Sequence, residues 1–230
     1  MDAPYQAADD VHVFPVNVPL PGVGVLPINA FLVLAEEPVL IDTGIGVDSD
    51  DFIAALSSII DLNDLKWLWL THDDADHTGS VQRVMELAPN ATLVTHGFSA
   101  LRMSTGWPVP MDRVHAIRFG DQIQAGDRTL TAVAPPLFDS PLSIGVLDES
   151  NGALFSVDAF GDPPGTDAGR HRSAPGGAGR RHGRMGDLRL ALGAHHRPIA
   201  VRAGPKQRQA TAAQAHLLLA PASRERNVPR

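Results

Sequence analysis

Two kinds of hydrophobic pattern alternate along the first two-thirds of the chain. Apolar residues at spacings of three and four predict two helices. The first carries Phe52, Ile53, Leu56, Ile59 and Ile60 on one face, and the second carries Val81, Val84, Met85 and Ala88. Short apolar runs bounded by polar, glycine or proline residues predict strands, and these runs are 11–18, 28–35, 38–41, 67–70, 92–94, 114–117, 129–134, 143–147 and 153–157. A strand meander followed by strands that alternate with helices predicts a layered α/β fold.

The ends of the predicted strands collect residues that can bind a metal ion. The run 67–70 is followed by Thr71-His72-Asp73-Asp74-Ala75-Asp76-His77-Thr78-Gly79. Two histidines and three carboxylates thus share one short loop at the end of a strand, where binding sites are commonly built. Imidazole and carboxylate groups are ligands of zinc and iron. The loop therefore predicts a metal site, and the alternative is a solvated acidic turn.

Two further carboxylates, Asp42 and Asp158, also follow apolar runs directly. A carboxylate has two oxygens and can bridge two cations, so Asp158 is the candidate for a bridging ligand. Taken alone, Asp42 is equally explained as the polar residue of a turn at the end of a strand, and Asp158 is better explained in that way.

Composition limits the class of protein. The chain of 230 residues contains no cysteine, which excludes disulfides and thiolate ligands. No apolar run approaches the roughly 18 residues of a membrane span, and the acidic N-terminus lacks the basic segment of a signal peptide. We therefore expect a cytoplasmic protein that does not interact with membranes.

The charge is distributed unevenly. Residues 1–163 carry 6 Lys and Arg against 23 Asp and Glu, whereas residues 164–230 carry 13 against 3 and have no aromatic residue. The sequence therefore predicts one folded domain over 1–163. For 164–230 it predicts a poorly ordered or non-native tail rich in arginine, glycine, proline and alanine, because such a composition cannot easily bury a core.

The tail has two explanations. One is a basic segment that binds nucleic acid electrostatically. The other is translation of a GC-rich gene out of frame, since such codons read in a wrong frame encode mainly arginine, proline, alanine and glycine. When the reading is shifted by one base, Met185-Gly186 must encode tryptophan, and 185–202 and 216–221 can encode amphipathic strings like those of the first part. We favour the second explanation.

Three segments resemble the metallo-β-lactamase superfamily. They are Leu-Ile-Asp-Thr-Gly at 40–44, the loop His-x-Asp-x-Asp-His-x-Gly at 72–79, and Ser-Val-Asp-Ala-Phe-Gly at 156–161. The usual loop of the superfamily is His-x-His-x-Asp-His, so Asp74 replaces its second histidine. A carboxylate at this place resembles the flavodiiron and oxygen-binding diiron branch, which carries glutamate there. That branch also has an Asp-Ser pair, matched by Asp139-Ser140.

The resemblance covers about residues 10–162 and implies an αββα sandwich, incomplete at the C-terminus, with a site for two metal ions. His72 and Asp74 would hold the first ion, Asp76 and His77 would hold the second, and Asp158 would bridge them. The carboxylate at position 74 favours iron over zinc, although zinc remains possible.

The resemblance also implies that Asp42 orients a metal ligand through a hydrogen bond. It is incomplete at 135–138, where the branch carries a histidine and this chain has Pro-Pro-Leu-Phe. His96 and His115 lie nearest in sequence, but each is better explained as a solvated or locally hydrogen-bonded histidine.

Three functions follow as hypotheses. The first is a diiron domain that binds or reduces O₂ or a related small oxidant, with electrons from a separate partner. The second is a metal-dependent hydrolase of an ester, thioester or lactone, in which Asp76 would orient a metal-bound water. The third is a non-catalytic protein whose tail binds nucleic acid. We rank it last because the tail lacks the aromatic residues on which bases stack.

Overall fold

The computed structural model describes residues 1–22 and 24–159. The predictions made for 164–230, either a basic tail or an out-of-frame segment, lie outside the described residues. Within the described ranges, no helix combines the length and the apolar character needed to cross a membrane.

The larger sheet contains seven strands in chain order. They are β1 (Tyr5–Ala8), β2 (Val11–Leu20), β3 (Gly24–Val33), β4 (Val39–Ile41), β5 (Trp67–Trp69), β6 (Thr92–Thr95) and β7 (Val114–Ala116). Strands β1 to β4 pair antiparallel, whereas β4 to β7 pair parallel. The carboxyl ends of β4, β5 and β6 therefore meet at one edge of the sheet, which is where the loop 71–79 begins.

A second sheet of four antiparallel strands packs on the first. Its strands are β8 (Gln122–Ala125), β9 (Arg128–Val133), β10 (Gly145–Asp148) and β11 (Ala153–Phe155), in the order β11-β10-β9-β8. The loop between β9 and β10 and the segment after β11 extend from this sheet, and both reach the carboxyl edge of the larger sheet.

Three helices in the described residues connect the parallel strands: α1 (Ser49–Ser57), α2 (Val81–Leu87) and α3 (Gly97–Met103). The larger sheet is buried on both faces, as strand β4 illustrates. Leu40 packs with the apolar faces of α1 and α2, while its neighbours Val39 and Ile41 pack against the second sheet. Because successive side chains of a strand point to opposite faces, the uninterrupted apolar runs in the sequence mark strands that lie between two layers.

The structure confirms the predicted α/β fold and adds three elements that the sequence pattern did not predict: β1, β8 and α3. Helix α3 buries Ser99 and Ala100 while Phe98 and Leu101 are exposed, so its pattern is the reverse of the one that identifies a helix packed on a core. The predicted first helix was also too long. Helix α1 ends at Ser57, and the predicted helical residues Ile59 and Ile60 lie in the turn that follows it.

Candidate metal centre

The loop at 71–79 is held against the segment that follows β4. The backbone N–H and the hydroxyl of Thr43 both donate to the carbonyl of His77, at 2.9 Å each. The Thr43 hydroxyl oxygen in turn accepts from the N–H of Ser80 at 3.1 Å, and the N–H of Gly79 donates to the carbonyl of Gly44 at 2.8 Å. These buried bonds join residues about 35 positions apart and fix where the two histidines of the loop lie.

Asp42 is the centre of this network. Its carboxylate accepts hydrogen bonds from the backbone N–H and the hydroxyl of Thr71, both at 2.8 Å, and contacts Nδ1 of His77 at 2.9 Å. The side chain is buried, and the residue has a φ of 58°. Aspartate tolerates this left-handed conformation better than most residues, and the conformation turns the carboxylate back toward the loop.

The ring of His72 is completely buried, and its orientation follows from its neighbours. Nδ1 lies 3.2 Å from the Thr71 hydroxyl, whose proton is donated to Asp42. In the neutral ring, Nδ1 is therefore the donor and Nε2 carries the lone pair. Nε2 is buried and has no hydrogen-bond partner among the described residues. It faces oxygens of Asp139 at 3.2 Å, and of Asp74 and Asp158 at 3.6 Å.

His77 lies between Asp42 and Asp158. Its Nδ1 contacts Asp42, and its Nε2 lies 3.0 Å from Oδ1 of Asp158. Burial acts to lower the pKa of His77, but the charge of Asp42 and the hydrogen bonds to Asp158 and Asp42 outweigh it and raise the pKa well above its ordinary value. The same carboxylates that raise this pKa would also stabilise a metal cation at this place.

Asp158 presents one oxygen to each histidine. Oδ1 lies 3.0 Å from Nε2 of His77, and Oδ2 lies 3.6 Å from Nε2 of His72. The preceding residue, Val157, has a φ of 59°, which is unusual for a β-branched residue. Strained backbone conformations are common at functional sites. At Val157 this conformation accompanies the position of the Asp158 carboxylate between the rings of His72 and His77.

The carboxylates of the loop face different ways. Asp74 joins His72 and Asp139 in a group whose ligand atoms lie within 4.8 Å of one another, and His72, His77 and Asp158 form a second such group. Asp76 belongs to neither group, although its Oδ2 lies 3.7 Å from Nε2 of His77. Asp73 is buried away from both histidines, where it accepts from Ser99 and pairs with Arg102 of α3.

The donor set fits metal ions. Two ligands bound at about 2.1 Å to one ion lie roughly 3 to 4 Å apart, and the contacts between the Nε2 atoms of the two histidines and the carboxylate oxygens range from 3.0 to 3.7 Å. The lone pair of His72 Nε2 faces carboxylate oxygens without a hydrogen bond between them. A cation placed among them would satisfy the buried nitrogen and the carboxylates together.

Asp139 is not among the ligands that the sequence predicts, although its Asp-Ser pair is part of the resemblance to the diiron branch. Spacing alone gave no signal, because the loop between β9 and β10 is far in sequence from His72 and joins it only through the fold. His96 and His115 do not join the site. Nδ1 of His96 accepts from the N–H of Phe98 at the start of α3, and His115 is exposed on β7.

The variant Asp42→Asn tests how the site is oriented. Asparagine also tolerates a positive φ, so the backbone is preserved while the charge that orients His77 and Thr71 is removed. We expect metal affinity to fall by roughly 10- to 100-fold, the usual effect of losing such a hydrogen-bond partner. Metal titration of the apoprotein measures this, with the exposed Asp61→Asn as control. An unchanged affinity would show that Asp42 serves the fold and not the metal.

The chain matches one family model and several known proteins. The family model of the metallo-beta-lactamase superfamily matches residues 23–198, which is more than half of the chain. The uncharacterized protein MJ0732 of Methanocaldococcus jannaschii is 31% identical over 133 residues, covering 58% of this chain and 34% of that protein. The anaerobic nitric oxide reductase flavorubredoxin of Pectobacterium carotovorum is 32% identical over 136 residues, covering 58% and 27%.

Solved structures with the same fold are also flavodiiron proteins. The flavodiiron protein of Giardia intestinalis has a TM-score of 0.62 at 19% identity and covers 72% of this chain and 42% of that one. The rubredoxin oxygen:oxidoreductase of Desulfovibrio gigas has a TM-score of 0.62 at 20% identity, covering 71% and 43%. The chain spans about a quarter to a third of the curated relatives named above and less than half of these two solved chains. On the family match, the chain belongs to the metallo-beta-lactamase superfamily, and its resemblance to the flavodiiron branch is confirmed.

Proposed function

We propose that this chain is a two-metal domain that favours iron and reduces a small oxidant, O₂ or NO, with electrons from a separate redox partner. The observation that carries the proposal is the position of Asp158, whose two oxygens lie 3.0 and 3.6 Å from the facing nitrogens of two different histidines. A single carboxylate with one oxygen toward each ring is the arrangement expected of a ligand shared by two ions.

The residues would divide between two metal positions. His72 and Asp74 would hold the first ion, Asp76 and His77 the second, and Asp158 both. Oδ2 of Asp74 lies 3.6 Å from Nε2 of His72. The aspartate side chain, although shorter than the glutamate of the diiron branch, would therefore reach the first position. Asp42 would fix the ring of His77 by accepting from Nδ1, which leaves Nε2 free for the metal.

The relatives support the choice of substrate class. One is named for nitric oxide reduction, and another is named for oxygen and rubredoxin. A pair of iron ions held at this site would supply the electron transfer by which such an oxidant is reduced. The side chains of Asp74 and Asp158 are 49% and 41% exposed, so among the described residues nothing shields these two carboxylates from a small molecule in solvent.

Metal loading and gas consumption test the proposal. The chain is produced in medium containing both iron and zinc, its metals are quantified, and consumption of O₂ and of NO is followed with an electrode in the presence of a reduced electron-transfer protein. We expect close to two iron ions per chain and consumption of at least one gas above the metal-free control. Two zinc ions with turnover of an ester, thioester or lactone would instead establish the hydrolase and refute the proposal.

A further inference from the structure

The loop between β9 and β10 brings an additional carboxylate to the first metal position. We propose that Asp139 is a direct ligand of the ion held by His72 and Asp74, and that this ligand lowers the preference of the position for zinc over iron or manganese. The inference rests on the proposed two-metal site and specifies its chemistry. It assigns to this chain a ligand that was not among those identified from the sequence.

The geometry places Asp139 closest to the buried nitrogen. Its Oδ2 lies 3.2 Å from Nε2 of His72, whereas the nearest oxygens of Asp74 and Asp158 lie at 3.6 Å. Ligand atoms of His72, Asp74 and Asp139 all lie within 4.8 Å of one another. The three side chains therefore surround one place at which a single ion would be held.

A second observation points to a cation and not to a structural ion pair. Nε2 of His72 is fully buried and unpartnered among the described residues, even though an oxygen of Asp139 lies 3.2 Å away. In the neutral ring Nδ1 is the donor to Thr71, because the Thr71 hydroxyl gives its own proton to Asp42, and Nε2 then has a lone pair that faces the carboxylates. A buried nitrogen without a partner is costly, and a metal ion at the centre of the group removes that cost.

The two oxygens of Asp139 have separate roles. Oδ1 accepts a hydrogen bond from the hydroxyl of Ser143 at 2.8 Å, and Ser143 is fully buried. The next residue, Ile144, donates its N–H to the carbonyl of Thr71 at 2.8 Å. The loop between β9 and β10 is thereby attached to the strand end that carries His72. Oδ1 fixes the side chain, and Oδ2 is directed toward the metal position.

The donor set determines metal preference. Residues 135–138 are Pro-Pro-Leu-Phe and offer no ligand side chain, so Asp139 is the first residue of this loop that can bind a metal. The first position then has one imidazole, from His72, and carboxylates from Asp74, Asp139 and Asp158. Imidazole suits zinc and iron, whereas carboxylates suit harder ions such as manganese. Each carboxylate in place of an imidazole therefore reduces the advantage of zinc.

Titration of the full-length apoprotein with single metals tests the inference. Fe²⁺, Mn²⁺ and Zn²⁺ are added separately under anaerobic conditions, and stoichiometry and affinity are measured by calorimetry. The variants are the isosteric Asp139→Asn and the imidazole-bearing Asp139→His, with the exposed Asp112→Asn as control. We expect Asp139→Asn to weaken one of the two binding events by at least about 10-fold and leave the other unchanged. In Asp139→His, the ratio of zinc to manganese affinity should rise by about 10-fold.

The possible failures are distinguishable. A parent protein that does not bind two ions refutes the proposed two-metal site and this inference with it. If the parent and Asp139→Asn both bind two ions with the same affinities, the role of Asp139 is refuted and the proposed two-metal site stands. If Asp139→Asn does not fold, as judged by circular dichroism, Ser143→Ala removes the hydrogen bond that holds Oδ1. In that variant, weakening of the same event supports the inference and an unchanged affinity overturns it.

Discussion

The variant Asp158→Ala is expected to bind fewer than one metal ion per chain where the parent binds two. Asp158 is the residue whose oxygens face both histidines, Oδ1 toward His77 at 3.0 Å and Oδ2 toward His72 at 3.6 Å. At the proposed two-metal site, its removal would take a ligand from both positions and leave two cations without the shared group that keeps them close together. The loss of affinity should exceed the roughly 10- to 100-fold effect of losing an outer hydrogen-bond partner.

Metal quantification after dialysis against a weak chelator measures this effect, together with a thermal melt to show that the variant is folded. The matched control is Asp64→Ala, which removes an exposed carboxylate in the turn before β5. We expect the control to retain both ions. If Asp158→Ala is folded and still retains two ions, Asp158 does not bridge the site and the assignment of both positions fails.

The second large effect is expected from Gly79→Ala. A Cβ at this position would lie 2.2 Å from the nitrogen of Gly46 and from the carbonyl carbon of Ile45, and 2.6 Å from the oxygen of Gly44. All three are backbone atoms and cannot rotate aside as a side chain can. The two segments must separate, which breaks the hydrogen bond from Gly79 to Gly44 and strains the bonds of Thr43 to His77.

We expect Gly79→Ala to lower the free energy of unfolding by about 3 kcal/mol or more, at or above the upper end of the usual cost of overpacking. Metal binding should fall as well, because His77 moves with the loop. Denaturant unfolding of the two apoproteins measures the difference. The control is Gly106→Ala, whose Cβ would meet the oxygen of Met103 at an ordinary 3.6 Å and should change stability by less than about 0.5 kcal/mol. Equal stability of the Gly79 variant and the parent would contradict the close approach.

The hydrophobic pattern alone was sufficient to predict most of the fold. Strands β4 and β5 lie between two layers, so their uninterrupted apolar runs stand out in the sequence. The elements that were missed lack such a signal. Strand β8 has four residues with two exposed glutamines and is stabilised by its pairing with β9, and α3 exposes its largest apolar side chains. Their formation depends on neighbours that a local pattern does not reveal.

The sequence by itself determined that a strand end carries a loop of two histidines and three carboxylates, and that Asp42 and Asp158 follow other strands. These are consequences of residue type and of the regular period of strands. The tertiary structure decided which way each side chain faces. It turned Asp73 toward α3 and brought Asp139 from the second sheet to His72. Irregular loops have no fixed period, so the direction of their side chains is set by contacts between residues distant in sequence.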